Sequence, residues 1–300
     1  MADFFSEGRP VPAALIGELV DSSALIGDGP ALRQRLEKHG YLLLRGVVAH
    51  GLALSARREV LARLAEAGET DLPGETFSGA SRRAEMAPDG GQFLQSVCEG
   101  PHLRRATGDD RLAKVISAAF GEPARGHDYI LLRVAIPGRG TGVHCDNPFF
   151  TRATERVLTC WLCLSDLAFE QGALYVVEGS HRWEAHIAEM RGFDLERANG
   201  ARQATLSDDI VRFAEAHGAR LLTAQFNAGD ILLFSMYVMH GSFDHRAPDL
   251  PVRMSCDVRW QPLSEPFDPR YMAPGLGGTF GGGYGELNAA KPLTEEWHKR

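Results

Sequence analysis

The stretch YILLRVAIPGRGTGVHCDNPFF, residues 129–150, decides how this chain is read. Its first half is a run of β-branched and long apolar residues. Pro137-Gly138 and the glycines at 140 and 142 then break any helical period, so the whole reads as extended chain. On extended chain, residues two apart point to the same side, so His144 and Asp146 face one way and Cys145 the other. Farther along, GDILLFSMYVMHGS (229–242) carries His240 on a second strand-like run. Two imidazoles and one carboxylate are the ligand set of a mononuclear non-haem Fe(II) centre, which covers one face of the metal and leaves the others open. His144, Asp146 and His240 are therefore the candidate metal ligands and the candidate catalytic centre. The bland alternative is three unrelated polar groups, since His-x-Asp on its own occurs by chance.

Working outward, the region from about residue 128 holds strand-like runs in order: YILLRVAI, TGVHCD, ERVLTCWLCLSDL, GALYVVEG, ARLLTAQF, GDILLFSMYVMHGS and PVRMSCDVRWQP. Turn residues separate them, and little helix intervenes. That pattern predicts a mainly β structure with flanking helices (α+β), a two-sheet jelly roll at residues 126–262. A polar helical stretch at about 183–217 reads as an insertion over the mouth of the barrel. Residues 1–125 read as mainly helical. ALRQRLEKHG ends at Gly40, YLLLRG is a short strand, ALSARREVLARLAEAG stops near Gly68, and RLAKVISAAFG closes at Gly121. ETDLPGETFSGASRR and MAPDGGQ read as connections. The tail, 263–300, is glycine-rich and reads as a loop near the site. The whole, 1–300, is expected to be one domain.

Composition narrows the function classes. Hydrophobic residues make up 44% and charged residues 24%, which is ordinary for a globular chain. A formal net charge of -7 without a basic run argues against nucleic acid. The N-terminal stretch has acidic residues and no apolar core of a secretory signal, and no run is long enough to span a membrane. A cytoplasmic protein acting on a small-molecule substrate is the default. Five cysteines at irregular spacing do not describe a disulfide framework. Cys160 and Cys163 spell C-x-x-C, but on a strand positions three apart face opposite sides, so they are expected to be buried structural thiols.

Four segments in order resemble the phytanoyl-CoA dioxygenase-like family of Fe(II)/2-oxoglutarate-dependent oxygenases: HCD (144–146), GALYVVEGSHRW (172–183), GDILLFSMYVMHGS and RMSCDVRWQ (253–261). The N-terminal part matches only in general character. The resemblance implies a double-stranded β-helix (cupin-like) fold with His144, Asp146 and His240 as iron ligands. It also implies Fe(II) as cofactor, with 2-oxoglutarate and O2 as co-substrates. Arg253 then matches the residue that binds the distal carboxylate of 2-oxoglutarate, with Ser255 beside it and Trp161 as a further co-substrate contact. This chain has Cys145 where many relatives carry Gln, and Glu178 where Pro is common. Related halogenases lack the carboxylate, so Asp146 points to hydroxylation or another oxidation.

Each of these residues has a plainer reading. An Arg within PVRMSCDV is costly to bury without an anion, and its guanidinium suits a carboxylate through two parallel hydrogen bonds. A salt bridge on an edge strand is the other explanation. Asp257 and Arg259 alternate with Arg253 and are expected to pair with each other or to serve structure alone. Trp161 is either a co-substrate contact or core. Arg133, in an apolar strand leading to the metal loop, meets an anionic substrate group or snorkels to solvent. Asn147, Phe149 and Phe150 follow the metal pair and either line the substrate cavity or pack. His181 reads as structural, positioning the following helix. The activity expected is hydroxylation of a small organic metabolite with release of succinate and CO2. The same iron chemistry giving desaturation, cyclisation or epoxidation is the alternative. A non-catalytic metal-binding β-barrel, a sensor or assembly module, is the reading from another class.

Overall fold

The structure is a computed structural model and describes residues 3–272 apart from 87–89, 136, 139, 151, 199–203 and 208. The glycine-rich run 275–293 lies outside the described residues. Two sheets dominate. Their strands, in chain order, are β1 (Ile16–Glu18), β2 (Tyr41–Leu44), β3 (Ala124–Ala135), β4 (Leu158–Cys163), β5 (Leu174–Val177), β6 (Leu221–Thr223), β7 (Ile231–Ser235), β8 (His240–Ser242) and β9 (Arg253–Pro262). The larger sheet is antiparallel with order β2-β7-β4-β9-β3, and the smaller has order β8-β5-β6-β1. In the smaller sheet β1 joins in parallel, against β6.

The alternation of side chains across the larger sheet explains how the layers stack. Leu42, Leu44, Leu132, Cys160, Leu162, Ile231, Leu233, Met254, Cys256 and Val258 share one cluster with the N-terminal helices. Those helices are α1 (Gly29–His39), α2 (His50–Glu66), α3 (Gly90–Cys98), α4 (Pro101–Thr107) and α5 (Asp110–Phe120). Helix α5 shows why such a segment docks: Leu112, Val115, Ile116 and Ala119 recur at helical spacing and are buried. Asp109 caps its start, accepting from the Arg111 and Leu112 amides, and Gly121 ends it in a left-handed conformation. On the other side of the sheet, Tyr41, Leu43, Trp161, Cys163, Leu232 and Phe234 pack against Leu174, Val176 and Leu222 of the smaller sheet. The two sheets therefore face each other, and the functional side chains lie on these inward faces.

Helix α1 ends at Gly40, φ 79°, where a Cβ would stand 2.5 Å from the His181 ring. His181 Nε2 donates to the Glu37 carbonyl at 3.2 Å. It thus ties the end of α1 to the GSHRW turn, a structural role directed at a preceding helix and not at the following one. Glu178 forms an exposed pair with Arg220. The helices α6 (Glu184–Met190), α7 (Leu195–Ala198) and α8 (Ile210–His217) occupy the expected insertion. Met190, Ile210 and Ala214 pack with Tyr175, Val177 and Leu221, so α6 and α8 back the outer face of the smaller sheet, which corrects the expected position over the mouth of the barrel. Among the described residues, no helix is long and apolar enough to cross a membrane.

Three local expectations are corrected. TGVHCD is not a continuous strand: Val143 bridges Ser207, His144 bridges His240, and the chain then turns into a short 3-10 helix, Asn147–Phe149, with Pro148 in its first turn. MAPDGGQ, read as connection, runs into α3 at Gly90, and ETDLPGETFSGASRR contains a small hairpin, Thr70–Asp71 with Thr76–Phe77. Strand β1 was not foreseen, because three residues carry no usable period.

Candidate metal and co-substrate site

His240 owes its position to a change of sheet. Strand β7 ends at Ser235, the chain turns with the Val238 amide donating to the Ser235 carbonyl at 3.0 Å, and β8 opens in the other sheet at His240. There His240 lies opposite Val176 on one side and His144 on the other. The His144 and His240 amides and carbonyls exchange two hydrogen bonds, of 3.0 and 2.9 Å. Their rings stand 4.3 Å apart between centroids. One atom from each of His144, Asp146 and His240 lies within 4.8 Å of the others, and all three residues are buried.

The protonation pattern suits a cation. His144 Nδ1 faces the Gly142 carbonyl at 2.9 Å, and His240 Nδ1 faces the Val238 carbonyl at 3.0 Å. A carbonyl accepts only, so both Nδ1 atoms carry the proton and both Nε2 atoms present lone pairs. Burial, with His240 alongside, pushes His144 down to about 3, and burial likewise lowers His240, so both rings are neutral at ordinary pH. For Asp146, burial works upward, but Arg259 and the two imidazoles outweigh it and hold the carboxyl well below the usual range. Its Oδ2 accepts from Arg259 Nη2 at 3.0 Å and from the Thr159 hydroxyl. Oδ1 is left facing His240 Nε2 at 3.9 Å. The donor set therefore fits one divalent ion held by two nitrogens and a single carboxylate oxygen. Cys145 points away, into the cluster containing Val143, Tyr175 and Met190.

Strand β9 lines the rest of the site. Its odd-numbered residues from Arg253 to Gln261 are all buried, although every one is polar. Ser255 lies opposite Cys163 and Arg133, Asp257 opposite Trp161, and Arg259 opposite Thr159. The expected Asp257–Arg259 pair does not form. Arg133 Nε reaches Asp257 at 2.7 Å from across the β3–β9 ladder, and Arg259 turns to Asp146. Asp257 lies opposite Leu131, so Arg133 is its diagonal neighbour, and the long arginine side chain spans that separation. Thr159, and the turn of Arg259 to Asp146, are what sequence reasoning missed, and only the register of β4 against β9 could have revealed them.

Arg253 is 3% exposed and has no carboxylate partner among the described residues. It donates from Nη1 to the Gly172 carbonyl, while its Nε is buried without an acceptor. Burial and the nearby Arg133 pull it down to about 10, still charged at neutral pH. Its guanidinium carbon lies 5.9 Å from the centre of the Trp161 ring. Trp161 Nε1 and Ser255 Oγ are also buried with no partner among the described residues. Native interiors rarely leave such groups unmatched, so a cluster of them marks a place for a polar ligand. Arg133 is engaged by Asp257, Asn147 is buried with its side-chain oxygen unpartnered, and Phe149 and Phe150 belong to the helix-side cluster. Phe150 packs against Tyr271 at 4.8 Å and under the Arg259 guanidinium at 4.6 Å. All five cysteines are buried, and none is in a disulfide. Cys160 faces the helices and Cys163 the inter-sheet space, and burial raises both thiols, Cys163 to about 12.

Comparison with known proteins agrees with this geometry. The family model "Phytanoyl-CoA dioxygenase (PhyH)" matches residues 36–255. The 1-deoxypentalenic acid 11-beta-hydroxylase of Streptomyces arenae is 27% identical over 270 residues, covering 82% of this chain and 86% of that protein. Among solved structures, the non-heme alpha ketoglutarate dependent carbocyclase SnoK from nogalamycin biosynthesis aligns with a TM-score of 0.54 at 19% identity, over 84% of this chain and 90% of its own. The epimerase SnoN, in complex with Fe3+, alpha ketoglutarate and nogalamycin RO, aligns at 0.52 and 19% identity, over 83% and 91%. At those identities the two structures speak for the fold alone. The family match spans most of the chain, and on that ground the chain belongs to the phytanoyl-CoA dioxygenase family and is an Fe(II)- and 2-oxoglutarate-dependent oxygenase.

Proposed function

We propose that this oxygenase hydroxylates a small organic metabolite, releasing succinate and CO2. In this reading one domain, a double-stranded β-helix with helical flanks, carries the site. His144, Asp146 and His240 hold Fe(II), and Arg253 binds the distal carboxylate of 2-oxoglutarate with Ser255 and Trp161 beside it. The observation that carries the proposal is the convergence of three metal-capable side chains next to an unmatched, buried guanidinium. Iron with 2-oxoglutarate and O2 supplies the oxidising power.

The side chains divide the remaining tasks. Arg259 and Thr159 hold one oxygen of Asp146 and so aim the other at the metal position. The two Nδ1–carbonyl contacts fix the imidazole planes. The apolar inter-sheet packing of Leu174, Val176, Leu222 and Phe234 keeps water away. We assign substrate contact to Arg133, on the inward face of β3, and to Asn147, which directly follows Asp146. We assign Phe149 and Phe150 to packing that supports the metal loop. Arg133 gives its Nε to Asp257, and its remaining guanidinium nitrogens would be what meets a carboxylated or otherwise anionic metabolite, the favoured class. The relative acting on 1-deoxypentalenic acid is in keeping with that choice.

The test is a screen of carboxylated metabolites for succinate release, with Asp146→Ala and His240→Ala as controls. Substrate-dependent succinate should appear for at least one compound and vanish in both variants. Near-normal turnover in either variant would defeat the assignment. Anaerobic addition of Fe(II) and 2-oxoglutarate should give a weak visible charge-transfer band, and its absence would favour a non-catalytic metal-binding barrel. Desaturation or cyclisation instead of hydroxylation would be read from the mass of the product.

A further inference from the structure

Beside Arg253, the inner corner of the site contains a histidine that neither the metal nor any motif accounts for. His245 is 4% exposed. Its backbone is fixed from two sides by bridges to Gly138 and Gln171. The next residue, Gly172, has φ 80°, and a Cβ there would stand 2.8 Å from the Phe243 carbonyl and 3.3 Å from the His245 amide. Only glycine allows this approach. The Gly172 carbonyl is the acceptor of Arg253 Nη1, so His245 and Arg253 are held against the same residue.

The tautomer of His245 follows from its neighbour. Its Nδ1 accepts from the Ala247 amide at 3.3 Å, so Nδ1 holds the lone pair and Nε2 carries the proton. That Nε2–H is buried and has no acceptor among the described residues. Burial, then the Arg253 charge, push the imidazole down to about 4, so at neutral pH it is an uncharged donor and not a cation. The corner thus contains the Nε2–H of His245, the Nε–H of Arg253 and the hydroxyl of Ser255, all buried and unmatched among the described residues. Two of the three can only donate. A single carboxylate, with two oxygens and about four lone-pair directions, answers them together.

We infer that the Nε2–H of His245 is a second donor to the distal carboxylate of 2-oxoglutarate, selecting a dicarboxylic keto acid together with Arg253. This rests on the proposed role of Arg253. Fe(II)-loaded protein is titrated anaerobically with 2-oxoglutarate and with 2-oxopentanoate, which has the same chain without the distal carboxylate, following the charge-transfer band. In His245→Phe, and in His245→Leu as a second removal, affinity for 2-oxoglutarate should fall about tenfold, the size expected for a hydrogen bond to a charged group. Affinity for 2-oxopentanoate should stay within about twofold. His245→Asn, which keeps an N–H, should recover most of the loss. Equal weakening of both keto acids, or of neither, overturns the inference while Arg253→Leu still loses 2-oxoglutarate. If Arg253→Leu also discriminates nothing, the reading of the whole corner falls with it.

Discussion

The two ends of the inner face of β9 are built from similar residues and treated in opposite ways. At the metal end, Arg259 pairs with Asp146, whose carboxylate Thr159 also holds, and Asp257 pairs with Arg133, so protein charge answers protein charge. At the other end, Arg253 is equally buried, yet its only partner among the described residues is a carbonyl. The outer face of the same strand, Met254, Cys256 and Val258, is apolar and packed under helices. Burying a guanidinium without an anion destabilises a fold, whereas a paired one approaches neutrality. The difference teaches that one end is finished by the protein and the other is left open, as the proposed co-substrate role of Arg253 requires.

That contrast makes its largest prediction for the apoprotein. Arg259→Met leaves the Asp146 carboxylate buried without its cation, and should cost about 3–5 kcal/mol in urea unfolding, the range for breaking a buried pair. Arg253→Met removes a charge that has no anion, and should change stability by no more than about 1 kcal/mol, in either direction. Equal large losses in both variants would show that Arg253 is a structural ion after all and would erase the comparison.

A second prediction concerns what 2-oxoglutarate does to each end. With Mn(II) in place of iron to prevent turnover, 2-oxoglutarate at a hundred times its dissociation constant should stabilise the wild type by about 2.7 kcal/mol through mass action. In Arg253→Met at the same concentration, the rise in melting temperature should be largely lost. Thr159→Val should keep a ligand-dependent rise but bind Mn(II) more weakly, because one hold on the Asp146 carboxylate is gone. A full ligand shift in Arg253→Met would place the keto acid elsewhere.

The metal end was largely legible in the chain and the neighbours that support it were not. His144 and Asp146 sit two apart on extended chain, and His240 ends an apolar run, so period and motif suffice for them. Arg253 stands out as a charge within an apolar strand. The pairing of Arg259 with Asp146 depends on residues 113 apart being brought together by strand register. Thr159 and His245 likewise carry no local signal, since their meaning lies in which backbone lies opposite. The same reasoning explains β1: Ile16–Glu18 is a strand only because Leu221–Thr223 runs alongside it. TGVHCD erred the other way, as its extended period was real but Pro148 and the 3-10 turn cut the pairing to single bridges.

The smallest effect tests the open end through protons. His245 is held neutral, its folded value pushed down to about 4 by burial and Arg253, whereas an unfolded histidine titrates near 6.5. Above that upper value neither state binds the proton, so the residue contributes nothing to the pH dependence. As pH falls through the window from 6.5 towards 4, the unfolded chain takes up a proton that the folded chain refuses, and stability declines. One pH unit into the window the deficit is about 1.4 kcal/mol for a single histidine. His127, also pushed down to about 4 by burial, adds a similar slope, but its ring Nε2 meets Gln261 and it lies by Phe150 and Tyr271, away from Arg253. Urea unfolding of the apoprotein between pH 7 and about pH 5.5 should therefore be less steeply pH-dependent in His245→Asn than in the wild type, by a difference that grows to nearly one proton at the acid end. His245→Asn combined with Arg253→Met should show no further flattening, since the arginine acts on this slope only through the imidazole. If the double variant flattens beyond the single one, the Arg253 charge is coupled to some other titrating group, and the open end is not the isolated corner that its unmatched donors describe.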